Sequence, residues 1–283
     1  PLHFVHLSEE QYILQVQGDK GIELWFGPAG QLRKVLAVGE HAPGLATSTK
    51  IAQINVLRTG FGRAVVHAHL QGLGVDQSTG YIGYWIVGPE GATLALREGG
   101  VGLNDTVVGQ VELLEVGPDG QIFVTYYDRG GVRHQALGHP GALCAWNERQ
   151  SVQSCQFLLD GRVVIQASEE GSYGTSERIG RPEALEQASP ELNSASWTLQ
   201  GSRVWSRSID EARILVVGAP GAERVALRAD DTIEVAPGQA WQFSRWPALG
   251  ETAPFDRYLL LPITFEAVFE VRGETTGLYR FDL

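Results

Sequence analysis

The sequence contains no run of about 18 apolar residues, so it offers no membrane-spanning helix. It has only two cysteines, Cys144 and Cys155, without the C-x-x-C spacing a zinc site uses. Lysine is scarce: Lys20, Lys34 and Lys50 stand against nineteen arginines, a bias that reads as coding preference. The longest basic cluster is Arg33-Lys34 and the formal net charge is −11. Binding a polyanion needs a concentrated basic patch, so nucleic acid is excluded as an expected partner. No G-x-S-x-G elbow, P-loop, EF-hand loop or H-E-x-x-H occurs. No catalytic residue, resident metal or cofactor is therefore expected. Amphipathic helices are missing too, the one short candidate being 182–188 in a polar stretch.

What the chain has is turns. Thirty-five glycines and thirteen prolines punctuate 283 residues that are 43% apolar, enough to bury a β core. Trp25, Trp85, Trp146 and Trp205 recur at intervals of 60, 61 and 59 residues. An interval of this size between similar segments predicts one supersecondary unit copied along the chain. Copy one reads Gly21-Ile22-Glu23-Leu24-Trp25-Phe26-Gly27-Pro28-Ala29-Gly30, and copy two Gly83-Tyr84-Trp85-Ile86-Val87-Gly88-Pro89-Glu90-Gly91. Proline presets φ for the first central position of a turn and glycine accepts a positive φ, so Gly-Pro-x-Gly between β-type runs predicts a hairpin. Gly39 and Gly99 each follow their tryptophan by 14 residues. A second hairpin precedes each tryptophan, at Glu9-Glu10, Gly60-Phe61-Gly62, Gly117-Pro118-Asp119-Gly120 and Asp160-Gly161.

Two hairpins per copy give four antiparallel strands, the unit of a propeller blade. After Trp205 the pattern is less regular: Gly250-Glu251-Thr252-Ala253-Pro254 echoes Gly39-Glu40-His41-Ala42-Pro43, and Tyr279 stands in the tryptophan's place. The predicted fold is an all-β propeller of five or six blades, built from antiparallel repeats of about 60 residues. The whole chain, 1–283, is read as one domain, and the glutamate-, serine- and glycine-rich stretch 168–196 as a loop insertion within one blade.

The segments Gly21–Gly44 and Gly83–Gly99, with Ile54–Gly72, resemble bacterial tandem-repeat proteins that carry an Asn-x-x-Gly-x-x-Ala-Phe motif. The likeness covers roughly 10–130, with an echo over 250–283. The chain departs from the motif where Asn55 is followed by Val56-Leu57-Arg58-Thr59-Gly60, and where Val65-Val66 replaces Ala-Phe. The resemblance implies an exported or surface-anchored protein without assigned chemistry. It places the chain outside the cell or at its surface, the periplasm being the other compartment.

The densest mixture of aromatic and charged residues is Tyr126, Tyr127, Asp128 and Arg129, followed by His134. Such residues line sugar and peptide pockets; the alternative is a strand end with an exposed turn. Arg97 and Glu98 end a strand of copy two, where they either grip a polar ligand or form a salt-bridged rim. These seven residues are the expected binding set, with a protein or glycan as ligand. His67 and His69 share one strand face and read as a half-buried sheet surface rather than as metal ligands. Cys144 and Cys155, eleven residues apart across a turn, are either a disulfide suited to export or two thiols. The expected function is a non-enzymatic binding or interaction module. The alternative is a glycan-active hydrolase or lyase, which would need carboxylates converging on the axial face.

Overall fold

A computed structural model describes residues 3–6, 11–73, 75, 80–146, 150–169, 175–182, 184–187, 196–197, 201, 203–209, 212–218, 222, 224–228, 231–236, 239–245, 253–254, 258–267 and 274–282. Everything regular in them is β, apart from two single turns of 3-10 helix at Leu103–Asp105 and Pro118–Gly120.

The first sheet holds β1 (His3–His6), β2 (Tyr12–Gly18), β3 (Gly21–Gly27) and β4 (Arg33–Ala37). The second holds β5 (Lys50–Gly60), β6 (Arg63–Gln71), β7 (Ile82–Gly88) and β8 (Gly91–Arg97). The third holds β9 (Val108–Val116), β10 (Ile122–Asp128), β11 (Arg133–His139) and β12 (Ala142–Ala145). The fourth comprises β13 (Gln150–Phe157), β14 (Val163–Glu169), β15 (Thr175–Arg181) and β16 (Ala184–Gln187). The fifth comprises β17 (Ser196–Trp197), β18 (Arg203–Ile209), β19 (Ala212–Gly218) and β20 (Arg224–Arg228). In all five, spatial order follows chain order. The last sheet has five strands: β21 (Thr232–Ala236), β22 (Gln239–Arg245), β23 (Ala253–Pro254), β24 (Tyr258–Ala267) and β25 (Glu274–Asp282), with β24 beside β22, β23 and β25. The protein is thus all-β, a succession of antiparallel sheets.

The chain divides into two compact units, and the division runs through the fourth sheet. In the first unit the second sheet is buried on both faces. Ala64, Val66, Trp85 and Val87 join one core with Leu24, Phe26 and Ile51, while Val65, Tyr84 and Ile86 join another with Val124 and Tyr126. Strand alternation sends successive residues to opposite faces, so near-continuous apolar runs are what a sheet between two sheets requires. In the second unit Leu158, Val164 and Ile179 pack together, and Ile214–Val217 is buried throughout.

The hairpins stand where the glycine turns predict them, joining β3 to β4, β5 to β6, β7 to β8, β9 to β10 and β13 to β14. The internal repeat is sharpest in the hairpin of the third and fourth strands. Leu24 pairs with Leu36, Tyr84 with Leu96 and Leu215 with Leu227, and a bulge follows in each case, so that Trp25, Trp85 and Val216 pair with Lys34, Leu94 and Val225.

The connections between sheets repeat as well. Gly39 N donates to Ile51 O (2.7 Å), Ile51 N to Glu40 O (3.0 Å) and Ala42 N to Thr49 O (3.0 Å). Gly99 N donates to Val108 O (2.7 Å), Val108 N to Gly100 O (2.9 Å) and Gly102 N to Thr106 O (2.7 Å). Gly39 and Gly99 occupy the same left-handed region, at φ 82° and 76°.

Two expectations are corrected and one open alternative is decided. The tryptophans are not equivalent: Trp25 and Trp85 lie on third strands, but Trp146 follows a fourth strand and Trp205 lies on a second strand, opposite Val216. The first strands begin at residues 3, 50, 108, 150 and 196, intervals that differ and are all shorter than 60. The even spacing of tryptophan is therefore no measure of the sheet repeat. The stretch 168–196 is not a loop throughout, because β15 and β16 pair as the third and fourth strands of the fourth sheet. Residues 170–174, 183 and 188–195 of it lie outside the described residues. Cys144 is an exposed free thiol and Cys155 a buried one, so no disulfide joins them.

Candidate functional site

β10 carries Ile122-Phe123-Val124-Thr125-Tyr126, all buried, a β-branched and aromatic run that suits a strand covered on both faces. The strand emerges at Tyr127 and Asp128, which are half-buried, and the chain turns back at exposed Arg129. Asp128 holds that turn. Its backbone N–H donates to Val132 O (2.8 Å), its Oδ1 accepts from Val132 N (2.9 Å) and its Oδ2 lies 3.0 Å from His134 Nε2. The His134 contact first, and the Val132 N–H second, hold the Asp128 carboxyl below its ordinary pKa.

His134 also stacks on Tyr126, its cross-strand partner, with ring centroids 5.1 Å apart. Tyr126 is fully buried, and its hydroxyl accepts from Leu103 N at 2.6 Å and lies 3.2 Å from Thr106 Oγ1. Its tip thus pins the connection between β8 and β9, and no part of it is presented to a ligand. Tyr127, Asp128, Arg129 and His134 are brought together at one end of the third sheet, with Tyr126 beneath them.

Arg97 and Glu98 open the same connection but face inward. The Arg97 guanidinium donates to Gly80 O from Nη2 (2.9 Å) and Nε (3.3 Å). Glu98 accepts from Tyr84 OH at 3.4 Å and from the backbone N–H of Val111, the residue paired with Tyr126. Burial raises the Glu98 pKa, against the pull of both hydrogen bonds, and burial also raises that of Tyr84. Both side chains therefore tie the second sheet to itself and to the third.

A second polar cluster lies on the second sheet. His67 stacks on Tyr84 (5.5 Å), leans on His69 (5.1 Å), and His69 meets the edge of Tyr81 (5.6 Å). Burial, then His69, lowers the His67 pKa. Among the described residues no group of three or more His, Cys, Asp or Glu side chains could hold a metal ion. No helix there is long and apolar enough to cross a membrane.

Sequence reasoning missed the apolar part of this rim. Val101 is 73% exposed, Val132 56% and Val107 38%. Val101 and Val107 face each other across an antiparallel bridge, Arg129 N donates to Val107 O (3.0 Å), and Val132 caps the Asp128 turn. The one available signal was alignment on the turn glycine: two residues past Gly39 stands His41, and two past Gly99 stands Val101.

No family model matches the chain, and no curated protein matches it. Among solved structures it is similar to a prolyl endopeptidase at 13% identity and TM-score 0.43, over 99% of this chain. It spans 47% of that enzyme's length. It is also similar to the β-propeller domain of the Trilobed protease from Pyrococcus furiosus, at 8% identity and TM-score 0.41, over 99% of this chain and 84% of that one. The major allergen Mala s 1 of Malassezia sympodialis aligns at 10% identity and TM-score 0.33, over 99% of this chain and 91% of that one.

Proposed function

We propose that the chain is a propeller of five or six blades serving as a non-enzymatic binding or protein-interaction module of an exported bacterial protein, with a protein or glycan as ligand. The blade reading is supported by sheets whose strands run in chain order and by connections that repeat bond for bond. The export reading rests on the tandem-repeat resemblance of 10–130, since both cysteines are free thiols.

One observation carries the functional reading: Val101, Val107 and Val132 are exposed beside Arg129 at one rim of the third sheet. Scattered surface valines need no explanation, but apolar side chains joined through adjacent backbone at a polar turn are what interaction surfaces display. The two carboxylates of the candidate set support binding over catalysis. Asp128 is engaged by His134 and Val132, and Glu98 by Tyr84 and Val111, so each is occupied in holding structure.

The test compares the wild-type protein with a Val101→Ser/Val132→Ser variant in ligand capture on peptide and glycan arrays, with circular dichroism as the folding control. Array ligands bound by the wild type and lost by the folded variant are expected. Capture unchanged in the variant overturns the assignment of the rim. Turnover of chromogenic glycosides by the wild type would replace it with the hydrolase reading.

A further inference from the structure

We infer that this rim takes a protein segment presenting an apolar side chain beside a carboxylate, an inference that rests on the reading of the rim as a binding surface. The chain contains its own control for the apolar half. The connection between the first and second sheets makes the same backbone contacts as that between the second and third, and each closes with an isolated antiparallel bridge. In the first the bridged residues are His41 and Lys50, both exposed. In the second they are Val101 and Val107. Side chains paired across an antiparallel bridge lie on one face about 5 Å apart. The same backbone bridge is thus built with polar side chains in one connection and with valines in the other. The valines form an exposed, β-branched ledge, and Val132 stands exposed on the turn across the end of β10.

Beside the ledge stands an exposed cation. Arg129 is exposed, its backbone N–H is fixed on Val107 O, and its side chain has no hydrogen bond or ion pair among the described residues. The adjacent Asp128 carboxylate is bonded to His134 and Val132 rather than to the Arg129 guanidinium. A guanidinium anchored by its own backbone, next to an apolar ledge, matches a planar carboxylate on a partner whose neighbouring side chain is apolar.

The experiment pans a phage-displayed library of random dodecapeptides on the wild-type protein and on four variants whose folding is checked by circular dichroism and thermal melting. The variants are Arg129→Glu, Val101→Ser/Val132→Ser, Val107→Thr, and Asp105→Ala as a control at the exposed tip of the same connection. Wild type and D105A are expected to enrich sequences with an apolar residue next to Asp or Glu. R129E is expected to shift enrichment to apolar residues next to Lys or Arg, and to weaken a synthetic wild-type-selected peptide at least about tenfold. The valine variants are expected to lose enrichment. Enriched peptides without an acidic residue, or unchanged under R129E, overturn the inference; if the valine variants still lose them, the rim remains the binding surface. Enrichment insensitive to all substitutions overturns both. No enrichment on the wild type, or capture of a glycan through the same valines, overturns the inference.

Discussion

The indole Nε1 of Trp85 donates a 2.9 Å hydrogen bond to the carbonyl oxygen of Pro43, tying a third strand to the connection that enters its own sheet. Trp85 is fully buried, and its ring completes the core shared by the first two sheets. Trp85→Phe keeps most of the ring and leaves the Pro43 carbonyl without its donor, so about 1–3 kcal/mol of stability is expected to go. Trp85→Ala adds a cavity and is expected to cost about 3–5 kcal/mol. Urea unfolding of the two variants measures both, and equal losses would mean that the packing of the ring adds nothing beyond the hydrogen bond.

Tyr126 does the corresponding work one connection later, with the hydrogen bond reversed: its hydroxyl accepts from Leu103 N. Tyr126→Phe strands a buried backbone N–H and is expected to destabilise by about 1–3 kcal/mol, with faster amide exchange at Leu103 and Thr106. Hydrogen exchange resolved by residue checks this. A variant as stable as wild type, with unchanged exchange, would remove Tyr126 from the anchoring role.

The Asp128–His134 contact makes the turn sensitive to acid. A carboxyl whose pKa is depressed in the folded state stabilises the fold above its unfolded pKa, and that contribution fades as pH falls through the folded value. With Asp128 held below its ordinary 3.8, the stabilisation is expected to be complete near neutrality and lost in strong acid. Asp128→Asn should be less stable than wild type at neutral pH and should converge on it at the acid end. Thermal melts across pH 2–7 read the difference, and a constant gap would exclude the linkage.

The two thiols are expected to titrate separately. Cys144 is exposed on the short outer strand β12, whereas Cys155 is buried in β13, where burial and then the nearby Glu115 push its pKa well up. One equivalent should react at once with a thiol reagent in native buffer and the second only after denaturation.

The strand content was legible because turn residues and β-branched runs are local signals. Gly-Pro-x-Gly and Asp-Gly place their hairpins from a few residues alone. The equivalence of the tryptophans was not legible, because a large ring fills space beside a sheet from more than one strand. Trp146 does so against Phe123, at 5.4 Å, from beyond the fourth strand. Thr175–Arg181 reads as loop, being Thr-Ser-Glu-Arg-Ile-Gly-Arg, and becomes a strand because a partner on each side supplies its hydrogen bonds. Within the candidate set, Tyr126 and Glu98 are engaged inside the fold, which their residue types do not reveal. An aromatic hydroxyl or a carboxylate has the same letters whether it faces a ligand or, like Tyr126 and Glu98, a backbone N–H inside the fold.

The connection running from Gly39 to Ile51 is three residues longer than that from Gly99 to Val108, yet both end on the same backbone contacts. Closing a slightly longer loop costs only tenths of a kcal/mol, roughly, in chain entropy. Length at these sites is therefore decoupled from the register of the sheets on either side. A duplicated unit can lengthen, shorten or recolour its connection while its strands keep their partners, so diversity accumulates at the rim and leaves the scaffold unchanged.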